Sequence, residues 1–116
     1  MHFDSIKFSK PWWELERLSL NRISTVQFLT IRPWEELSLH YHDIRDDYWK
    51  ILKGIWKVTL WEDSFVTKEN ETYFIPKKIP HNVSNIWNEN LLVLEICFDD
   101  FLDTDTIRVS DCYWRI

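Results

Sequence analysis

The sequence predicts one small all-β domain, built as a barrel or a sandwich of short strands. Runs of β-branched and aromatic residues recur at close spacing, with turn residues between them, which is typical of antiparallel β proteins. No segment shows the period of a good amphipathic helix. The chain has 116 residues, 45% of them hydrophobic. That is enough for a single core and too little for two domains.

The predicted strands follow one another along the chain. Residues 1–9 are expected to form an N-terminal arm or edge strand, and residues 10–116 the main domain. Within that domain, strands are predicted at residues 24–31, 37–42, 48–52, 56–61, 65–67, 73–75, 80–85, 91–98 and 107–114. The single glycine, Gly54, marks a tight turn. Asparagine, aspartate and proline must therefore supply most of the other turns.

Charge and composition exclude several classes of function. The net charge is −5, and no basic stripe is present that would suit a nucleic acid. No apolar run is long enough to span a bilayer, and the N-terminus lacks the apolar core of a signal peptide. We therefore expect a cytoplasmic protein in a reducing compartment. Its two cysteines, Cys97 and Cys112, are expected to be free thiols buried in strands.

Three histidines and one carboxylate have the pattern of a metal site. His40 and His42 are one residue apart, so they share a face if they lie on a strand. Asp47 follows on the next strand, and His81 comes later in the chain. Neutral imidazoles with one carboxylate suit a first-row divalent metal better than they suit calcium.

The same residues resemble the two sequence motifs of the cupin family. The first motif corresponds to His40, His42, Asp47 and Gly54, and the second corresponds to Pro76, Lys78, His81 and Asn85. Two positions depart from the pattern, because Asp47 replaces the usual Glu and Lys78 replaces the usual Gly. The resemblance implies an all-β jelly-roll barrel, also called a double-stranded β-helix.

The resemblance is closer to one branch, the C-terminal domain of type II mannose-6-phosphate isomerases. The matching pieces include Lys10-Pro11-Trp12, Arg32-Pro33, Leu37-Ser38-Leu39, Lys57-Val58-Thr59-Leu60, Asp105 and Arg108. The branch usually has Gln at the position of His40 and Gly at the position of Trp34. The resemblance implies one divalent transition metal (Zn, Mn, Fe, Co or Ni) and interconversion of mannose 6-phosphate and fructose 6-phosphate. It also implies a homodimer, in which the N-terminal arm is a candidate for strand exchange.

Four further residues are candidates for that chemistry. Glu95 interrupts the apolar run 91–98, and a carboxylate facing the cavity could serve as a general base with a raised pKa. Arg45, Lys78 and Arg108 are candidates to bind a sugar phosphate. The alternative is that Glu95 faces solvent and that each arginine pairs with a nearby acid.

Two other functions remain open at this stage. The chain could be a non-catalytic metal cupin that binds a sugar, a sugar phosphate or a small anion in polysaccharide or nucleotide-sugar metabolism. It could also be a structural cupin dimer without a site.

Overall fold

A computed structural model of the chain describes residues 6–60 and 62–110, and every strand pairing within them is antiparallel. The prediction of an all-β fold is therefore confirmed. The strands are β1 (Ile6–Lys10), β2 (Trp13–Arg17), β3 (Ser24–Ile31), β4 (Leu39–Tyr41), β5 (Asp46–Lys53), β6 (Trp56–Leu60), β7 (Asp63–Thr67), β8 (Thr72–Ile75), β9 (His81–Asn85), β10 (Leu91–Phe98) and β11 (Ile107–Ser110). One short 3-10 turn, Asp103–Asp105, precedes β11.

The strands form two large sheets and one separate hairpin. The first sheet has the order β3-β10-β5-β8, and the second has the order β11-β4-β9-β6-β7. Side chains from both sheets meet in the main apolar core, which includes Trp49, Trp56, Val58 and Val93. A smaller apolar cluster contains Tyr48, Ile96 and Phe98. The predicted strand 91–98 is confirmed as β10, and it is a central strand because it pairs with β3 on one side and with β5 on the other.

Some predicted boundaries were wrong. Strand β5 begins at Asp46, two residues before the predicted start at residue 48, so that Asp47 lies inside the strand. Strand β2 was missed altogether, because a Pro-Trp-Trp sequence carries no clear strand signal. The turn at Pro11 and Trp12 lets β2 pair back onto β1 as a hairpin. Trp61 and the predicted strand beyond Ser110 lie outside the described residues.

The interior of the two facing sheets is apolar at one end and polar at the other. Along β10, Leu91 and Val93 belong to the apolar core, and Glu95 and Cys97 follow on the same face. Strand β5 shows the same change, with Ile51 in the core and Asp47 at the polar end. Regular alternation thus brings polar side chains from neighbouring strands to one end of the molecule.

The hairpin β1–β2 pairs with no other strand of the described chain. All five residues of β1 and the first four residues of β2 are exposed, including Ile6, Phe8, Trp13 and Leu15. A lone two-stranded hairpin is only marginally stable in water. These apolar side chains therefore form a surface that nothing within the described residues covers.

A separate observation concerns membranes. Residues 6–60 and 62–110 contain no helix with the length and apolar character needed to cross a bilayer.

Two bulky residues have left-handed backbone conformations at positions where the motifs that this sequence resembles have glycine. Trp34 has φ of 65° and Lys78 has φ of 69°. An L-residue pays a steric cost there, because its Cβ crowds the carbonyl oxygen. Gly54, with φ of 112°, is the one glycine, and a Cβ at this position would lie 3.1 Å from Leu91 Cδ1. Because the chain has a single glycine, non-glycine residues adopt left-handed backbone conformations in other turns.

Replacing Lys78 with glycine tests that strain. We expect Lys78→Gly to raise the free energy of unfolding by about 1 kcal/mol, because relief of the left-handed strain exceeds the added chain entropy of glycine. The control is Lys77→Gly, at a neighbouring exposed position without positive φ, which should lower stability. Urea unfolding of the three proteins provides the measurement. Equal destabilisation by both substitutions would contradict the argument.

Candidate metal centre

The three predicted histidines converge at the polar end of the interior. His40 lies in β4, His42 follows one residue after that strand ends, and His81 begins β9. Strands β4 and β9 are neighbours, and His40 and His81 are direct cross-strand partners. His42 and His81 are buried, whereas His40 is partly exposed.

Each imidazole uses its Nδ1 atom to contact a main-chain carbonyl oxygen. His40 Nδ1 lies 2.9 Å from the oxygen of Ser38, and His81 Nδ1 lies 2.9 Å from that of Ile79. His42 Nδ1 lies 3.0 Å from the carbonyl oxygen of Asp105. Because a carbonyl can only accept, each Nδ1 carries the proton and donates it. All three Nε2 atoms then carry lone pairs, as metal-ligating histidines require, although that of His42 accepts a hydrogen bond from Arg45 Nη2 over 3.2 Å.

The three rings are close enough to share one ion. Their ligand atoms lie within 4.8 Å of one another, and the His40 and His81 ring centroids are 4.5 Å apart. Burial, followed by the neighbouring histidines, lowers the pKa of His40 to about 4 and that of His81 to about 3. Both rings are therefore neutral at physiological pH and need not lose a proton to bind a metal.

Asp47 supplies the carboxylate at this centre. Its side chain is fully buried, and its Oδ2 atom lies 3.3 Å from His42 Nε2 and 3.9 Å from His81 Nε2. Burial alone would raise the pKa of Asp47, but His42 and the positive charge of Arg45 hold it below its usual value. The side chain is thus an anion at neutral pH, although it is one methylene shorter than the usual glutamate.

Buried polar atoms that lack hydrogen-bond partners indicate that these residues suit a metal ion. Neither oxygen of Asp47 forms a hydrogen bond of acceptable geometry, and His81 Nε2 has no hydrogen-bond partner. All three atoms are buried, and a buried polar atom without a partner is costly. Three nitrogen donors and one carboxylate fit a first-row divalent ion, which would satisfy these atoms together.

The centre opens into a cavity of about 200 Å³ with a cationic wall. The lining includes His40, His42, Arg45 and Arg108. Nε and Nη1 of Arg45 and Nε of Arg108 are buried and lack hydrogen-bond partners. The expectation that these arginines simply pair with acids therefore holds only in part, since Arg45 Nε lies 3.3 Å from Asp47 Oδ1.

Lys78 is positioned differently from the two arginines. Its side chain is exposed in the turn before β9, and it is not among the residues that line the cavity. Its main-chain N–H donates to the carbonyl oxygen of His42 over 2.6 Å. The structure thus links Lys78 to the centre through its backbone.

Glu95 faces the cavity and not the solvent. It is 5% exposed and lies between Gln27 on β3 and Trp49 on β5, its direct cross-strand partners. Gln27 Nε2 donates to one carboxylate oxygen over 2.5 Å, and Trp49 Nε1 donates to the other over 2.7 Å. These two bonds hold the carboxylate in one orientation beside the histidines.

Sequence reasoning missed several residues that support the centre. Asp105 is buried, and its carboxylate accepts the main-chain N–H groups of Asp43 and Ile44 over 2.9 and 3.3 Å. Phe101 lies under the Arg45 guanidinium, 4.3 Å from ring centroid to Cζ. Asp105 is among the residues of the family resemblance, which was the only signal for it, and Phe101 had none.

The prediction that both cysteines are buried free thiols is tested only for Cys97. Cys97 is a buried free thiol, as predicted, and Cys112 lies outside the described residues. Burial, together with the nearby Glu95 carboxylate, raises the pKa of Cys97. Its sulfur lies within 4.8 Å of ligand atoms of Asp47 and Glu95. The thiol is therefore a protonated, inert wall of the centre.

Comparison with known sequences identifies relatives that match nearly the whole chain. A family model described as "Mannose-6-phosphate isomerase C-terminal" matches residues 2–111. The xanthan biosynthesis protein XanB of Xanthomonas campestris is 27% identical over 94% of this chain and 24% of its own length. Mannose-1-phosphate guanylyltransferase of Klebsiella pneumoniae is 32% identical over 91% of this chain and 23% of its own length. The chain thus spans about a quarter of these relatives.

Solved structures agree on the fold. Bacillus subtilis oxalate decarboxylase, a cupin-fold protein with Mn(II) centres, superposes with a TM-score of 0.67. The identity is 22%, and the match covers 76% of this chain and 24% of the decarboxylase chain. The expected cupin fold is confirmed.

Removing the Asp105 carboxylate tests how the centre is supported. We expect Asp105→Ala to lower the free energy of unfolding by about 1–3 kcal/mol, because the main-chain N–H groups of Asp43 and Ile44 both lose their hydrogen-bond acceptor. The control is Asp103→Ala, an exposed carboxylate in the same short turn, which should change stability by less than about 0.5 kcal/mol. Thermal or urea unfolding measures both variants. Similar values for the two would mean that the Asp105 bonds contribute little.

Proposed function

Because this chain belongs to the mannose-6-phosphate isomerase C-terminal family, we propose that it is a metal-dependent sugar-phosphate isomerase. The proposed reaction interconverts mannose 6-phosphate and fructose 6-phosphate. One observation carries the proposal. Three imidazole Nε2 atoms and the Asp47 carboxylate converge beside a cavity that also exposes Glu95 and two arginines.

The proposed metal ligands are His40, His42, Asp47 and His81. The donor set suits one divalent transition ion among Zn, Mn, Fe, Co and Ni. When bound, such an ion supplies Lewis acidity that polarises a carbonyl and its neighbouring hydroxyl. The Nδ1 contacts to main-chain carbonyls support this assignment, since they orient each ring in advance.

Glu95 is the proposed general base. Isomerisation of an aldose to a ketose moves a proton from C2 to C1 through an enediol, and one carboxylate can remove and return it. Gln27 and Trp49 each donate one hydrogen bond to a different oxygen of Glu95, which leaves each oxygen a further lone pair. The carboxylate is thereby oriented and still able to accept a proton.

Arg45 and Arg108 are the proposed anchors for the phosphate, and Lys78, which does not line the cavity, is a further candidate. The two guanidinium groups line the cavity and carry buried N–H groups without hydrogen-bond partners. Guanidinium donors match phosphate oxygens in geometry as well as charge. A substrate held there would have its carbon chain beside the histidines.

A second candidate function is a non-catalytic metal cupin that binds a sugar, a sugar phosphate or another small anion. The size of the cavity favours it. About 200 Å³ is below the roughly 300–1,000 Å³ typical of small-molecule sites. With either candidate function, the protein would act in polysaccharide or nucleotide-sugar metabolism. We place it in the cytoplasm, a location that the free thiol of Cys97 favours.

Metal analysis and a turnover assay test the proposed isomerase. We expect about one equivalent of a divalent transition metal in purified protein, and loss of both metal and turnover in His81→Ala, since a ligand is removed. Asn88→Ala, in the loop at the other end of β9, should retain both. Elemental analysis and conversion of mannose 6-phosphate are the measurements.

Glu95→Gln separates the two candidate functions. It should retain the metal while the rate falls by roughly 10²–10⁴-fold, the usual contribution of a general base. If the metal-loaded parent protein shows no turnover, but mannose 6-phosphate raises its melting temperature, the result would instead support the non-catalytic metal cupin. Absence of metal after reconstitution would exclude both.

We also propose that the protein is a homodimer in which the β1–β2 hairpin of one copy packs along β3 of the other. Strand β3 is an edge strand, and its Val26 and Phe28 side chains are 60% and 66% exposed. The four exposed rings of Phe8, Trp12, Trp13 and Phe28 offer on the order of 400 Å². A standard interface buries about 800 Å² per partner, and the exposed aliphatic side chains of Ile6, Leu15 and Val26 add to the area of the rings. Reciprocal exchange would bury the hairpin and the β3 surface of each copy.

Phe28→Glu tests this interface. We expect a dimer to become a monomer, because a charge would be buried against the hairpin of the partner. The control is Val66→Glu on β7, the edge strand of the other sheet, where the side chain is 65% exposed. Light scattering coupled to size exclusion measures the mass. A monomeric parent protein, or a monomer with both substitutions, would contradict this arrangement.

A further inference from the structure

The guanidinium of Arg45 lies within the proposed metal centre. Arg45 is only 6% exposed. Its Nη2 atom lies 3.2 Å from His42 Nε2, and its Nε atom lies 3.3 Å from Asp47 Oδ1. The aromatic ring of Phe101 supports the guanidinium from one side. One side chain therefore contacts two of the four proposed ligands.

The contact with His42 uses the lone pair that a metal would need. His42 Nδ1 donates its proton to the Asp105 carbonyl, so Nε2 is the acceptor and Arg45 donates to it. An imidazole nitrogen has one lone pair in the ring plane. That lone pair can accept a hydrogen bond from Arg45 or bind a metal ion, but it cannot do both.

The contact with Asp47 also indicates that Arg45 and a metal ion compete for the same position, because both are positively charged. Asp47 is a fully buried carboxylate, and such a group is stable only beside a compensating positive charge. Arg45 provides that charge in the metal-free protein. A divalent ion would provide it instead, and the ion and the guanidinium would repel each other at this distance.

We propose that Arg45 is the resident cation of the metal-free centre, and that a divalent ion binds by displacing Arg45 from His42 Nε2 and Asp47. The proposal rests on the proposed metal site and not on isomerase activity. Arg45 keeps the buried acid compensated before loading, at the expense of metal affinity.

Arg108 provides an internal control for charge in the same cavity. It lines the cavity, and its Nε atom is buried without a hydrogen-bond partner. Among the described residues, it forms no hydrogen bond or ion pair with His42 or Asp47. Removing the Arg108 charge therefore tests general electrostatics without freeing a metal ligand.

The experiment is a Zn²⁺ titration of parent protein, Arg45→Met and Arg108→Met by chelator competition. Methionine keeps a long apolar stem against Phe101 without the charge. We expect Arg45→Met to bind Zn²⁺ on the order of tenfold more tightly, and Arg108→Met to differ little from the parent. Equal or weaker binding by Arg45→Met would overturn the proposal, as would equal gains in both variants.

A second measurement needs no variant that might fail to fold. In ¹H–¹⁵N spectra of the parent protein, saturating Zn²⁺ should shift the Arg45 Nε–H resonance and leave that of Arg108 nearly in place. An unmoved Arg45 resonance on saturation would overturn the proposal. Neither readout involves a sugar phosphate, so a failed turnover assay would count against the isomerase alone.

Discussion

Three contacts between imidazole Nδ1 atoms and main-chain carbonyls determine what the centre can be. The carbonyls belong to Ser38, Ile79 and Asp105, and each fixes one ring in the tautomer whose Nε2 lone pair faces its neighbours. Two of these carbonyls are local, two residues before their histidines. The third comes from a turn 63 residues away in sequence, which joins the C-terminal strand to the loop after β4. Folding of the whole barrel is therefore a precondition for the site.

Buried charge is the second constraint on the centre. Asp47 and Arg45 are both almost fully buried, and their atoms approach one another without good hydrogen-bond geometry. Such a pair adds little to stability, because the desolvation of two charges offsets their attraction. A hydrophobic pair would serve the fold as well. In the proposed function both charges have a further role, Asp47 as a metal ligand and Arg45 as an anchor for the phosphate.

Trp49 connects this charged end to the apolar core. Its ring packs against Trp56 with centroids 5.6 Å apart, and it faces His81 at 5.4 Å. Its indole N–H donates to Glu95. One rigid side chain thus belongs to the core and orients two groups of the site. This arrangement explains how a small domain can hold a polar cluster in one geometry.

The sequence by itself determined the all-β class, most strand positions, and the grouping of His40 and His42 on one face, because these depend on local alternation. The two motifs also indicated Asp47 and His81. Alternation could not decide which face of β10 Glu95 takes, since residues on both faces of that strand are largely apolar. The tertiary structure decided it, along with the partners of His42, the position of Arg45 among the ligands and the pairing of β2 with β1. The face of Glu95 and the carbonyl partner of His42 depend on strand register and on contacts between residues distant in sequence, which no local pattern contains. Arg45 and the β1–β2 hairpin contact residues close in sequence, but no alternation of polar and apolar residues indicates those contacts.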